Sequence, residues 1–255
     1  MGAGALSCAD SRINHVNMIG LVTALRAEAS CVSPAHIPFN AIMLVNDLAV
    51  LWLSGMGAQA ARAAAEGLHQ HGVTALVSFG VAGALDPNLK PGDLVLPDAI
   101  HAGTQFPVNI AWRDWLQKLL PADVTVVNGI LANSAVPLTG EKAKLKLAQA
   151  TNACAVDMES GAIAAVAATA GIPFIAVRAI IDPIQFSPPE ALLGAVYPDG
   201  GVNSMCLIAL LLKRSVHVST LLHMGAGMHA ARKTLSRVIQ SAGAGLGSQA
   251  ADRTV

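Results

Sequence analysis

Apolar runs of strand length recur along this chain, separated by stretches with helical spacing. Asn17–Leu25 (NMIGLVTAL), Leu48–Ser54 (LAVLWLS), Val73–Gly80 (VTALVSFG), Gly92–Ile100 (GDLVLPDAI), Val124–Ala132 (VTVVNGILA) and Pro173–Ile181 (PFIAVRAII) read as buried strands. Between them, the Ala-rich stretch that ends at Gly72, the polar-faced Gly140–Ala150 (GEKAKLKLAQA) and the apolar Gly161–Gly171 (GAIAAVAATAG) read as helices. Apolar strands alternating with helices predict an α/β fold: one three-layer α/β/α domain with a central mixed sheet. No repeat or composition break precedes about Ser187, so one domain is expected over residues 17–240. Residues 1–16 read as a loose leader and 241–255 as a small, polar, frayed tail. The Pro- and Gly-rich Asp182–Gly201 reads as a long loop before C-terminal helices.

Composition narrows the function classes. Lys+Arg and Asp+Glu are 16 each, which argues against nucleic-acid binding. Hydrophobic residues make up 53% and charged ones 13%, so membrane insertion has to be weighed. The longest uncharged run, Ser160–Val177, is interrupted by Thr169, Gly171 and Pro173, and Met205–Leu212 (MCLIALLL) is too short to span. Cys8, Cys31, Cys154 and Cys206 are scattered without a CxxC pair, which suits a reduced, cytoplasmic protein. The first residues lack the apolar core of an export signal.

Two glycine turns sit at strand ends. Gly55 and Gly57, with Ala60, fit the dinucleotide pattern GxGxxG/A, but the next strand ends without the ribose-binding acid; the first acid is Asp86. Tight turns with close helix packing explain the same residues. Gly80 and Gly83 close a neighbouring strand, so the two turns could frame one crevice. Carboxylates gather at the same edge. Glu28 follows the first strand, Asp157 and Glu159 precede the apolar helix, and Asp182 ends the last strand. Asp157 reads best as a helix-capping acid, and Glu159 fits either that role or a site. Arg178 and Asp182 could pair across the strand end, and Glu28 alone would be a solvated loop acid.

The motifs GLVTALRAEA, SGMGAQAA, VSFGVAGALDPNLKPGDLVLPD, AVDMESGAIA and FIAVRAIID occur in the order and spacing of the purine nucleoside phosphorylase/uridine phosphorylase superfamily. They most resemble its methylthioadenosine/S-adenosylhomocysteine nucleosidase branch, over roughly Asn17–Asp182. The resemblance implies cleavage of a purine nucleoside N-glycosidic bond. It assigns Asp182 as proton donor to the purine N7, Glu159 to the ribose hydroxyls with Met158 against the sugar, and Glu28 to the attacking water. Gly83 and Arg178 would complete the substrate site. Water and phosphate both stand as nucleophile: Glu28 favours water, whereas Gly55, Gly57 and Gly80 could hold phosphate through backbone N–H groups. Arg26 reads better as a solvated loop arginine than as a phosphate contact. No cofactor or metal is expected, with inorganic phosphate as the one candidate co-substrate.

RAIIDP, PPEALLGAVYPDG and LLKRSVHVSTLLHMGAGMHAARKTLSRV further resemble hopanoid-associated phosphorylases, to which adenine release from adenosylhopane is ascribed. The partner expected is therefore a small nucleoside, in this branch lipid-linked, with peripheral contact at the inner membrane as an open option. The apolar C-terminal helices could equally pack on the core or on a second subunit. A homodimer is implied by the family alone.

Overall fold

The computed structural model describes residues 18–186, 197, 199, 201, 213 and 216–247. The motif MCLIALLL, most of the 182–201 loop and residues 1–17 and 248–255 lie outside them. The described strands are β1 (Ile19–Thr23), β2 (Ile42–Asn46), β3 (Ala49–Leu53), β4 (Ala75–Ala84), β5 (Leu94–Val95), β6 (Ala99–Ala102), β7 (Thr104–Pro107), β8 (Val126–Val127), β9 (Ile130–Asn133), β10 (Ala153–Asp157) and β11 (Phe174–Asp182). The helices are α1 (Arg26–Val32), α2 (Ala58–Gln70), α3 (Ile110–Leu119), α4 (Glu141–Thr151), α5 (Ser160–Ala170) and α6 (Val218–Ala242). All strands join one mixed sheet, with the path β2-β3-β1-β4-β10-β9-β6-β7 and a branch from β4 through β11 and β5 to β8.

Period-2 alternation divides the core between the two sheet faces. From β4, Ala75, Val77 and Phe79 join one apolar cluster with α1, α3 and α6 residues such as Ala29, Trp112 and Leu235. Leu76, Ala82 and Ala84 join the other, with α2 and α5 residues such as Ala64, Leu68 and Ile163. The alanines of α2 and α5 let these two helices approach each other and the sheet closely. This is the expected α/β/α layering.

Two predicted strands are cut in two. Gly92–Ile100 yields β5 and β6, because Pro97 has no N–H to donate to a ladder. Val124–Ala132 yields β8 and β9, with Gly129 at φ 129° between them and its carbonyl accepting from Asp98 N at 2.7 Å. Helix α3 carries its own start signal: the Asn109 side chain accepts from Trp112 N at 2.9 Å, and Trp112 and Leu116 bury one stripe.

The feature that opens a site is a change of partner along β4. Its first half pairs in parallel with β1, from Ile19↔Ala75 to Val22↔Ser78. Its last residues pair antiparallel with β10, at Gly83↔Val156 and Ala84↔Ala155. Between Ser78 and Gly83 no described strand lies beside that edge of β4, and the crevice forms there. On the other edge β11 follows β4 in parallel until a bulge at Ile181, after which Asp182 lies opposite Gly83. The bulge re-aims Asp182 toward the crevice. It turns the Ile181 carbonyl toward α6, where Gly227 has no side chain to obstruct it.

The tail expected to fray from Ser241 is packed at its start. Ser241 and Ala242 finish α6, Leu246 is fully buried, and its carbonyl accepts from Trp112 Nε1 at 2.7 Å. Leu246→Ala is therefore expected to cost about 2–5 kcal/mol. An unchanged midpoint in thermal or denaturant unfolding would show that this segment adds nothing to the core.

Candidate active site

A cavity of about 230 Å³ occupies the crevice. Glu28, Gly83, Asp157, Met158, Glu159, Lys144 and Asp182 line it, and Leu25, Met56, Val136, Pro137, Leu138 and Ile181 give it an apolar wall. The structure thus brings Glu28, Met158, Glu159, Gly83 and Asp182 to one hollow. Arg178, Gly55, Gly57 and Gly80 do not line it. Phe174 and Val177 are core, as their apolar setting suggests.

Glu28 reaches the crevice through the missing strand pairing. It sits in the first turn of α1, and its Oε2 accepts from Ala24 N and Leu25 N, both at 2.9 Å. Oε1 accepts from Val81 N at 2.9 Å, an amide of β4 that β1 no longer reaches. The bland reading of Glu28 as a solvated acid gives way to a side chain that is 1% exposed. Burial raises its pKa, against the lowering effect of Arg178 and of these three N–H groups.

Arg178 points from β11 to the face carrying α5. Its Nε lies 2.8 Å from Asp157 Oδ2, and its guanidinium also donates to Ser160 Oγ at 3.2 Å, Val81 O at 3.3 Å and Ser78 Oγ. Asp157 also accepts from Ser160 N at 3.2 Å and from the Ser160 hydroxyl, so it caps α5 and neutralises Arg178 together. The partner of Arg178 is Asp157 and not Asp182; the bulge carries Asp182 to the other side of Gly83. Gly80 lies between Glu28 and Arg178. A Cβ there would sit 2.5 Å from Arg178 Nη1 and collide with Glu28 Oε1. The glycine is required by this crowding rather than by an anion.

Glu159 stands at the N-terminus of α5, and its Oε1 accepts from Gly57 N at 2.8 Å. Gly57, at φ 97°, therefore spends its N–H on Glu159 rather than on a ligand. Burial lifts Glu159 to a pKa of about 7; Arg178 and Gly57 pull it down, while Asp157 and Glu28 push it further up. Arg26 is not a free cation either. Its Nε pairs with Asp199 at 2.5 Å, and its Nη1 donates to Ile37 O at 3.2 Å.

The residue missed in the sequence is Lys144. It lies on the helix read as polar-faced, yet it is 2% exposed, and its Nζ donates to Asp182 Oδ2, Pro183 O (2.9 Å) and Phe186 O (2.8 Å). Burial raises the pKa of Asp182, against the lowering effect of Lys144. Only the alternation of Lys142, Lys144 and Lys146 with apolar residues hinted that one lysine could face inward. The Ser134–Leu138 wall carried no signal at all.

Residues 17–212 match the Phosphorylase superfamily, and the chain belongs to it. The superfamily places it among nucleoside phosphorylases and nucleosidases. A 5′-methylthioadenosine/S-adenosylhomocysteine nucleosidase of Staphylococcus aureus is 27% identical over 199 residues, which span 65% of this chain and 86% of the relative. The fold is similar to that of the Neisseria meningitidis 5′-methylthioadenosine/S-adenosylhomocysteine nucleosidase in complex with methylthio-immucillin-A (TM-score 0.67, 15% identity, 91% of this chain and 99% of that one). It is also similar to the futalosine hydrolase of Helicobacter pylori (TM-score 0.64, 17% identity, 88% and 98%).

The raised pKa of Glu159 has a consequence for stability. Between the ordinary 4.5 and about 7, the folded protein holds a proton that the unfolded chain has released. Stability therefore falls as pH rises through that window. Glu159→Gln keeps the acceptor for Gly57 N and removes the charge. It is expected to raise the melting temperature at neutral pH by ~2–4 °C per kcal/mol gained, with the gain vanishing toward pH 4.5. Melting curves across that range check the sign, and equal curves for both proteins would contradict it.

Proposed function

We propose that this enzyme hydrolyses the N-glycosidic bond of a 5′-substituted adenosine and releases adenine. The observation that carries the reading is the placing of three buried carboxylates, Glu28, Glu159 and Asp182, around one small cavity with an apolar wall. Asp182 faces the purine and gives its proton to N7 as the bond between C1′ and N9 breaks and the electron pair passes to the base. Burial favours the protonated acid this step needs. Glu159 accepts from the ribose hydroxyls, with Met158 against the sugar. Glu28 orients a water that attacks C1′ and takes up its proton, while the carboxylates stabilise the oxocarbenium-like transition state.

Water is favoured over phosphate by the state of the candidate phosphate groups. Gly57 N is bound to Glu159, Gly80 makes room for Glu28 beside Arg178, and Arg178 and Arg26 are engaged by Asp157 and Asp199. The 5′ group meets Met56, Val136, Pro137 and Leu138, which suit an apolar substituent. The cavity is smaller than the ~300–1,000 Å³ of drug-sized pockets. A large 5′ group therefore leaves through the mouth, past the exposed Met56 and Val136.

Adenosylhopane is the finer substrate reading, carried by the motifs around Asp182-Pro183 and 198–200. Of the latter, Asp199 is described and anchors α1 through Arg26. The same apolar wall accepts a methylthio group, so methylthioadenosine and S-adenosylhomocysteine are the second reading. For the lipid-linked substrate, the exposed Val218 and Leu222 at the start of α6 are the proposed point of bilayer contact. Among the described residues no helix is long and apolar enough to cross a membrane.

Adenosylhopane and methylthioadenosine, assayed in parallel for adenine release, separate the two substrates; preference for methylthioadenosine would displace the hopanoid reading. Asp182→Asn is expected to lower kcat on the order of 10²–10⁴-fold with the melting temperature retained. Near-wild-type turnover would remove Asp182 from its role. Free sugar is the expected product with and without phosphate, and a sugar 1-phosphate appearing in phosphate buffer would reverse the choice of nucleophile.

A further inference from the structure

Helix α4 buries one residue, and that residue is a lysine. A buried ammonium is costly unless each N–H finds an acceptor. Lys144 has three, and all belong to the five residues that end and follow β11: the Asp182 carboxylate, the Pro183 carbonyl and the Phe186 carbonyl. Among the described residues no other group accepts from Lys144 Nζ, and no other side chain bonds to Asp182. The ring of Phe186 in turn stacks on His223 of α6, with centroids 5.8 Å apart. The opposite wall is the bare Cα of Gly83, where a Cβ would lie 3.2 Å from Asp182 Oδ1 and 3.6 Å from Lys144 Nζ. Oδ2 is thus committed to the lysine. Oδ1 has no donor among the described residues, and Asp182 lines the cavity.

We propose that Lys144 is a positioning residue for bond cleavage: it holds Oδ2 of Asp182 and pins the 183–186 turn, so that Oδ1 addresses the purine. This rests on the assignment of Asp182 as proton donor under the proposed function. Lys144 also acts on the proton itself. Burial favours the protonated Asp182, and the neighbouring ammonium opposes it, so the lysine sets where in pH the acid is spent. Among the described residues, the other charged groups lining the cavity with Asp182 are Glu28 from α1 and Asp157 and Glu159 at the β10–α5 junction, while Arg178, earlier in β11, does not line it. Strands β4 and β5 carry no titratable side chain. Helix α6 brings His223 to Phe186, with His229, Arg232, Lys233 and Arg237 further along. Lys144 is the cation bonded to Asp182.

Lys144→Met removes the charge and the anchor. The expected result is a kcat lower by on the order of tenfold or more and an alkaline limb of the kcat–pH profile displaced to higher pH, because burial is then unopposed. Lys144→Arg keeps the charge and should return the limb toward its wild-type position, with kcat only partly restored. A lysine with a purely structural role would lower the melting temperature and leave the limb in place. If Lys144→Met does not fold, Lys144→Gln carries the same expectation with a polar side chain. A folded neutral variant whose limb does not move, in an enzyme that releases adenine and loses this activity in Asp182→Asn, overturns this proposal alone. A wild type that releases no adenine, or an active Asp182→Asn, overturns the functional reading with it.

Discussion

The guanidinium of Arg178 is the charge around which this molecule is arranged. It is 1% exposed, deep in β11, and faces three buried carboxylates on neighbouring elements. One cation cannot neutralise three anions in a poorly solvated setting. Asp157 takes the direct pairing at 2.8 Å and ties strand β10 and the start of α5 to β11. Glu28 and Glu159 are left with partial compensation from backbone N–H groups, and burial holds both above the usual carboxylate range. Glu159 in consequence titrates near neutrality, in the range where a site group is useful and a structural one is a liability.

That arrangement needs the sheet to leave a gap, and β4 supplies it. Because β4 trades β1 for β10, the amide of Val81 is left for a side chain to satisfy, and Glu28 satisfies it. Gly80 then has to be bare, since any Cβ would collide with Glu28 and Arg178. The crevice is therefore a product of backbone hydrogen-bond bookkeeping as much as of side-chain choice. It lies where open α/β sheets bind their ligands, at a change in strand order.

Opposite the Arg178 centre stands a second, smaller charge pair, Lys144 with Asp182. The two are kept apart by the bulge at Ile181, which moves Asp182 out of the alternation that contains Arg178. Under the proposed chemistry this separation has a use. The sugar side of the cavity collects negative charge near a developing cation, and the base side keeps one acid able to donate. The apolar wall from Met56 and Val136 to Leu138 lowers the local dielectric for both.

The alternation of apolar strands and helices, the layering and the carboxylates near strand ends were legible in the sequence, because apolar periodicity and capping are local; β2, β7, β10, α1 and α3 were not read there. Asp157 as a cap of α5 was readable for the same reason. So was the membership of the superfamily, since five motifs keep their order. The broken strands at Pro97 and Gly129 and the packed end at Leu246 were not, since a strand's pairing and a tail's burial depend on what lies beside them. The identity of each charge's partner was decided only by tertiary structure. Arg178 and Asp182 are four residues apart and do not meet. Lys144 and Asp182 are 38 residues apart and do. A one-residue bulge reverses which way a strand's side chain points, and one face of α4 becomes interior only when the turn after β11 closes on it. The sequence determined which charges this protein carries into its core; the fold alone decided which of them neutralise one another and which face the cavity.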